Sequence, residues 1–527
     1  MNCFRSVILL TLISVIGCEG RRVVSPGAST ATKSAAGEKK VGATPSAATS
    51  EEVLTSAIHQ LRPENFGISS NPEKPVSLLN SWRFKVAEEK PGTDDPVPPK
   101  APTGWIDDAD QTRLSQSKFD FADALYVRDA LFFDVIAGYL SDRGRDELRR
   151  VSIVVDFVCR NVSLWRNDEI EIPLNPFVSM QFGRGSAEDR AWICAEILTQ
   201  LRLDALILRQ KADTKETTNK WLLGVVIEQN VYLFDLYLGL PVGIADQNPT
   251  SPLVPLNQLI AQPELLERLA VNEPYRLTAD DLRDATVHVI SSPNSWCARM
   301  NRLEEALPTT DACVLYSPLI DREGNGGKLS RIATAGNWPV DSLKLWQFPH
   351  RQTEASRKPD ESTSQEFQKL SLPFTVPIPF KVDQEGKVTT EAPERKLQRF
   401  RSEHLLGKFT EATQRYLSIR HLEVEKNPPD LERLNRMASE DAFYWTCLCK
   451  YELADYPGAI DLLSSYIKKY DRKGKWFFPA RALLGQSYAE LGQFSEAVSA
   501  VERTSPDDPY RIGNIIRSKR WTAAQSK

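Results

Sequence analysis

Histidine is scarce in this chain: five occur among its 527 residues, and none lies between His59 and His288. Imidazole is the commonest general base and metal ligand near neutral pH, so that long interval excludes a histidine-dependent centre there. The eight cysteines also lack the spacing of a zinc site, because none of them forms a CxxC pair. Their positions do not indicate a dense disulfide framework either. A formal net charge of −4 provides no broad basic field, which argues against nucleic acid as a partner. We therefore expect no metal and no cofactor.

The first twenty residues, MNCFRSVILLTLISVIGCEG, contain an apolar run over residues 7–16. This run is shorter than the roughly 20 apolar residues that span a bilayer, and it fits the apolar region of a secretory signal. Its ending, VIGC, resembles a bacterial lipobox, which implies a signal peptide over residues 1–17 and acylation of Cys18. An ordinary signal peptide, or an uncleaved anchor that happens to contain a cysteine, is the alternative. The resemblance implies a lipid anchor on the extracytoplasmic side of a membrane in the bacterial cell envelope. Several acyl chains on one residue would attach the protein stably to that membrane.

The following segment, residues 18–110, has the composition of a tether. Residues 19–50 are rich in Ala, Ser, Thr, Gly and Lys, and residues 87–104 are rich in proline. Such stretches cannot bury enough apolar surface to fold, so we expect a flexible tether that contains one short helix over residues 51–61.

Residues 183–208, GRGSAEDRAWICAEILTQLRLDALIL, predict a helix from Ala187 to Leu201 that leads into a strand at residues 205–208. Ser186 has the position of an N-cap, and Asp189 lies in the first turn. Two β-rich runs, residues 222–227 and 231–234, flank a polar turn and predict a hairpin. Residues 170–185 read as a loop.

Helix, strand, hairpin and strand-end acid together resemble the transglutaminase-like (papain-like cysteine) fold. In that family a cysteine opens the core helix, a histidine begins the next strand and an aspartate ends the third. Ala187 stands here in the place of the cysteine, residues 220–222 contain no histidine, and Asp235 matches the aspartate. The resemblance implies an α+β domain over residues 111–260 that has lost its catalytic Cys and His.

Loss of both groups removes the chemistry, because imidazole activates the thiol and the acid only orients the ring. We therefore expect no catalytic residue and a non-catalytic module. The alternative is a hydrolase or acyltransferase with an atypical nucleophile, for which Ser186 and Cys194 are the weak candidates. His288, in the β-like run ATVHVISS, reads as a packed or edge residue.

Residues 261–393 predict an α+β extension followed by a polar linker. Within it we expect a strand near residues 311–321, a polar loop over residues 351–368 and an extended connector over residues 372–382.

Residues 394–527 are helical in pattern throughout. Three stretches share an aromatic residue followed three positions later by alanine, at Phe409 and Ala412, Tyr456 and Ala459, and Phe494 and Ala497. They resemble tetratricopeptide repeats, although Cys447 stands where the family has a small glycine. The resemblance implies an all-α repeat domain that binds a protein or peptide. A helical bundle that only stabilises its own neighbour, and a repeat that assembles with itself, are the alternatives.

The whole sequence thus predicts a membrane-anchored envelope lipoprotein that acts as a non-catalytic scaffold.

Overall fold

The computed structural model describes ten segments of the chain: residues 48–89, 101–211, 220–245, 252–320, 326–375, 380–382, 388–390, 396–421, 429–502 and 505–525. The predicted signal peptide and Cys18 lie outside these segments. None of the described helices combines the length and the apolar character needed to cross a lipid bilayer.

Two helices stand where the sequence predicts a tether, α1 (Ser50–Leu61) and α2 (Glu73–Glu89). Thr49 and Glu52 close a capping box at the start of α1. Apolar side chains on both helices, Leu54, Ile58, Leu61, Leu79 and Trp82, are buried in the core. The short helix expected over residues 51–61 is confirmed as α1, whereas the tether prediction is wrong for α2, because both helices carry an apolar face that packs.

A helical layer precedes the sheet. It comprises α3 (Asp108–Ser115), α4 (Phe121–Ser141), α5 (Glu147–Asn161), β1 (Ser163–Leu164), α6 (Pro176–Phe182), β2 (Arg184–Gly185) and α7 (Ala187–Gln200). The core helix α7 is confirmed. The loop prediction for residues 170–185 is wrong in its second half, where the Asn175 side chain caps α6 and Pro176 occupies its first turn.

The sheet has six strands in the order β6-β5-β4-β3-β7-β8. They are β3 (Ala205–Arg209), β4 (Trp221–Ile227), β5 (Asn230–Asp235), β6 (Leu240–Val242), β7 (Thr286–Val289) and β8 (Lys344–Leu345). Within this six-stranded sheet β7 and β8 pair in parallel and the other neighbours are antiparallel, and the predicted β4–β5 hairpin is confirmed.

Both faces of the sheet are covered, which explains its continuous apolar strands. Along β3, Ile207 points into the cluster formed with α5 and α7. Its neighbours Leu206 and Leu208 belong to the opposite cluster, together with residues of the later helices. Alternation with period two therefore places apolar side chains in two different cores.

The segment between the sheet and the C-terminal helices is more helical than the sequence predicts. It contains α8 (Leu256–Ala261), α9 (Glu264–Glu267), α10 (Ala279–Arg283), α11 (Ala298–Ala306), α12 (Lys328–Gly336), α13 (Phe348–Arg357) and α14 (Glu361–Thr375), then the paired strands β9 (Phe380–Val382) and β10 (Val388–Thr390). The predicted loop at residues 351–368 is thus wrong, because α13 and α14 occupy most of it. The connector prediction at residues 372–382 is wrong where α14 continues through Pro373.

No strand forms in the described residues 311–320, although the sequence predicts one. The backbone N–H groups of Leu315 and Tyr316 donate instead to the Glu304 carboxylate, each at 2.7 Å. Val314 N–H likewise donates to the Gln200 side chain at 2.8 Å. Side chains thus replace a neighbouring strand as the hydrogen-bond partners of this segment.

The C-terminal region is helical, as predicted. It contains α15 (Lys396–Leu405), α16 (Phe409–Arg420), α17 (Pro429–Glu452), α18 (Tyr456–Tyr470), α19 (Phe477–Glu490), α20 (Phe494–Glu502) and α21 (Arg511–Gln525). The three aligned aromatic residues each begin a helix, and the three alanines are fully buried. A Cβ atom on Gly485 would lie 2.7 Å from Val501 Cγ1, so α19 and α20 cross at a distance that requires a small residue.

The apolar core runs through the predicted domain boundaries. One cluster joins α4 to α7 with helices α15 to α19, and another joins α1 and α2 with the far face of the sheet. Residues from Thr49 onward accordingly form one compact unit. The boundaries expected near residues 110, 260 and 393 mark no break in this core.

Candidate functional site

The three positions singled out by the sequence meet at one place. Ala187 opens α7, Trp221 opens β4 and Asp235 ends β5. Leu223 pairs with Phe234, so the start of β4 lies beside the end of β5. The start of α7, the start of β4 and the end of β5 therefore lie close together.

Trp221 occupies the strand start at which the sequence lacks a histidine. Its side chain is buried, and its indole Nε1–H donates to Glu188 Oε1 at 3.2 Å, on the residue next to Ala187. Its ring also lies 6.0 Å from that of Tyr237. An indole N–H donates but cannot accept a proton, so this position holds no general base.

Ala187 offers a methyl group and is 1% exposed. Glu188 beside it is half-buried, and burial raises the pKa of its carboxyl while the bond from Trp221 opposes that rise. The methyl group of Ala187 cannot act as a nucleophile, so the first position of α7 does not supply a thiol or a hydroxyl.

Asp235 is fully buried and held by four donors. It accepts from the Tyr275 hydroxyl at 2.7 Å and from the backbone N–H groups of Tyr237 and Leu238 at 3.0 Å. Arg276 adds an ion pair at 3.0 Å and donates to the Trp221 carbonyl, also at 3.0 Å. The carboxylate therefore braces the turn after β5 and faces a guanidinium in place of an imidazole.

Ser186 acts as the cap of α7. Its hydroxyl accepts from the Asp189 N–H at 3.0 Å, and its backbone N–H donates to Asp189 Oδ2 at 2.7 Å, which closes a capping box. The hydroxyl also donates to Asp189 Oδ2 at 2.9 Å. Burial raises the pKa of Asp189 to about 7, although the bonds from Ser186 oppose the rise. Both hydrogen-bonding roles of the hydroxyl are thus used within the helix start.

Cys194 is fully buried in the middle of α7. Burial raises the pKa of its thiol well above the ordinary value, which suppresses the reactive thiolate. No described imidazole hydrogen-bonds to it. Cys194 is a packed thiol, and the six described cysteines are all free.

His288 lies on β7, two strands away from β4. The pairs Trp221–Arg209 and Arg209–Thr286 place it roughly 10 Å across the sheet from the site. Burial lowers the pKa of His288 to about 4, so the ring is neutral at physiological pH. It does not reach Ala187.

Within the described segments, no group of three or more His, Cys, Asp or Glu side chains could hold a metal ion.

The residues that the sequence analysis missed here are the partners of the strand-end acid. Tyr275 and Arg276 follow Asp235 by 40 and 41 residues in an irregular segment, and no motif marks them. Only the tertiary fold brings them to the carboxylate.

Comparison of the chain with protein families, with curated proteins and with solved structures finds no match in any of the three.

Proposed function

We propose that this chain is a non-catalytic binding protein in which a transglutaminase-like module has lost its chemistry. The observation that carries the proposal is the side chain of Trp221, which fills the base position and bonds to the residue after Ala187. The Arg276 ion pair of Asp235 supports it, because the acid then has no imidazole to orient.

The proposal includes anchoring at the bacterial cell envelope through an acylated Cys18, and partner binding by tetratricopeptide-like repeats. The inner side of the helical region contacts its own chain: Arg143 and Arg160 of the central region pair with Glu452. Its outer turns expose two apolar side chains at equivalent positions, Leu453 and Leu491, at 42% and 41%. These turns favour the outer edge as the surface for a protein partner.

An active-site probe tests the loss of chemistry. The purified mature protein is incubated with a chloroacetamide reagent and with acyl-donor substrates, and its tryptic peptides are analysed by mass spectrometry. We expect Cys194 to stay unmodified in the native state and to react only after unfolding, with Cys194→Ala as the control. Saturable native labelling of Cys194, or an acyl adduct on Ser186, would establish the alternative hydrolase or acyltransferase.

A pull-down tests the partner surface. Truncation at residue 393 would expose the shared core, so point variants are the better perturbation. The double variant Leu453→Glu/Leu491→Glu is compared with the wild type and with Arg436→Glu, an exposed position elsewhere on the helical region. We expect partners recovered from detergent-solubilised membranes to be lost only in the double variant. Equal recovery from all three proteins contradicts the assignment of the outer turns.

A further inference from the structure

A cavity of about 790 Å³ lies between the central region and the C-terminal helices. Helix α5 and the β5–β6 turn form one wall, and α17, α19 and α21 form the other. Ligand sites in proteins measure roughly 300–1,000 Å³ and favour such junctions. This space is separate from the groove at Ala187, Trp221 and Asp235.

The cavity carries more positive than negative charge. Six arginines line it against four carboxylates. Arg143 and Arg160 share Glu452, with N–O distances of 2.7 and 3.0 Å. Glu452 thus offsets one of these two positive charges in the part of the wall nearest to α17.

Three other lining arginines, Arg190, Arg517 and Arg520, have no carboxylate within ion-pair distance among the described residues. Arg190 donates to backbone carbonyls and to the Tyr510 hydroxyl. Arg517 donates through Nη2 to the carbonyls of Leu238 and Gly239, and its Nη1 has no partner in the described chain.

Arg520 makes neither a hydrogen bond nor an ion pair with any described residue. Burial, and then the charge of Arg517, lower its pKa to about 10. Asp156 is an exposed acidic group near Arg517, and it forms no ion pair with a described residue. Clustered cations away from bulk water are unfavourable unless an anion neutralises them.

Most of the remaining lining is apolar or aromatic, with Ile153, Leu240, Pro241, Leu253 and Leu483 on its walls. Guanidinium groups form strong hydrogen bonds with carboxylate and phosphate oxygens. An apolar body would cover the rest of the lining and gain the free energy of its own burial.

We propose that this cavity binds a small amphipathic anion, with its carboxylate or phosphate headgroup at Arg517 and Arg520 and its apolar body against Leu240 and Leu253. The inference deepens the proposed function, because it rests on the chain being a binding protein. The cavity is a different surface from the one that the labelling of Cys194 and Ser186 tests. The cavity proposal can therefore be refuted while the proposed loss of chemistry stands, and the reverse.

The probe is 8-anilinonaphthalene-1-sulfonate, an anion on an apolar body, followed by its fluorescence on titration into the mature protein. We expect saturable binding at one site, weakened about tenfold in Arg520→Gln and unchanged in Arg436→Gln, which alters an exposed arginine outside the cavity. The uncharged N-phenyl-1-naphthylamine should bind both variants equally. Equal sulfonate affinity in Arg520→Gln and the wild type overturns the proposal.

Competition identifies the headgroup. Dodecanoate and dodecyl phosphate are each titrated against the bound probe, with dodecyl maltoside and inorganic phosphate as controls. Displacement by either amphipathic anion, but not by the controls, supports the proposal. The anion that displaces the probe at the lower concentration identifies the preferred headgroup, carboxylate or phosphate. Displacement by inorganic phosphate or maltoside at the same concentration overturns it.

A second variant tests the location of the site independently of whether Arg520→Gln folds. Gln486→Trp would fill the cavity from α19 without removing an arginine. We expect it to abolish probe binding while its thermal midpoint stays near that of the wild type. Full probe binding by Gln486→Trp overturns the location, even if Arg520→Gln fails to fold.

Discussion

Replacing Arg401 with methionine should destabilise the packing of the C-terminal helices against the rest of the protein. Arg401 is fully buried on α15, and its guanidinium donates to the backbone carbonyls of Met180 and Asn161 at 2.9 and 3.2 Å. These carbonyls lie at the ends of α6 and α5, where the helix dipoles favour a cation. The guanidinium also lies 4.7 Å from the Trp445 ring.

The expected fall in the free energy of unfolding follows from the groups that lose Arg401 as their partner. Two buried carbonyls lose their donor, at about 1–3 kcal/mol each, and a desolvated cation–π contact of about 2 kcal/mol disappears. Methionine fills much of the space and ends the cost of burying a charge, which offsets part of the loss. We expect the free energy of unfolding to fall by about 3–5 kcal/mol.

Urea unfolding followed by circular dichroism measures this change, with Arg436→Met as the exposed control, expected within about 0.5 kcal/mol of the wild type. The wild type should unfold in one transition, because the central region and the C-terminal helices share a core. A loss below about 1 kcal/mol in Arg401→Met, or two separate transitions in the wild type, would refute the reasoning.

Three further changes test the local arguments. Trp221→Ala should lower the free energy of unfolding by about 3–5 kcal/mol in urea titrations and yield no hydrolase activity, because it removes a buried side chain and creates no base. The pKa of Asp189 is about 7 when folded and about 4 when unfolded. Its contribution to stability is therefore complete below pH 4 and is lost as pH rises to 7. Measured against Asp189→Asn, the wild type should lose roughly 1 kcal/mol per pH unit over that window, and a flat difference would contradict the burial argument. Gly485→Leu should lower stability by about 1–3 kcal/mol in thermal unfolding because its Cβ meets Val501, whereas Gly138→Leu, with open space around it, should not.

Elements with strong local signals were predictable. The β4–β5 hairpin follows from two apolar runs around a polar turn, and Glu228 adopts the positive φ of 53° that the turn requires. The start of α7 follows from the Ser186 and Asp189 spacing. In the C-terminal region, Phe409, Tyr456 and Phe494 each begin a helix, and the alanine three positions after each of them is fully buried.

The failures have physical causes of their own. Helices α13 and α14 are mostly polar and exposed, so periodicity gives little signal for them. Residues 312–316 are apolar enough for a strand, but Glu304 and Gln200 satisfy their backbone donors. Helix α1 was expected, but the low-complexity and proline-rich stretches on either side gave no signal for α2, which the sequence analysis assigned to the tether.

The turn at residues 236–239 connects the two sites. Its first N–H groups hold Asp235, and its side chain Tyr237 lies over Arg276 at 5.2 Å and beside Trp221. The Leu238 carbonyl accepts from Arg517, in the wall of the cavity. An anion that drew this guanidinium toward its headgroup would compete with the turn for the same donor. The bonds that hold the buried Asp235 carboxylate would then be sensitive to occupancy of the cavity.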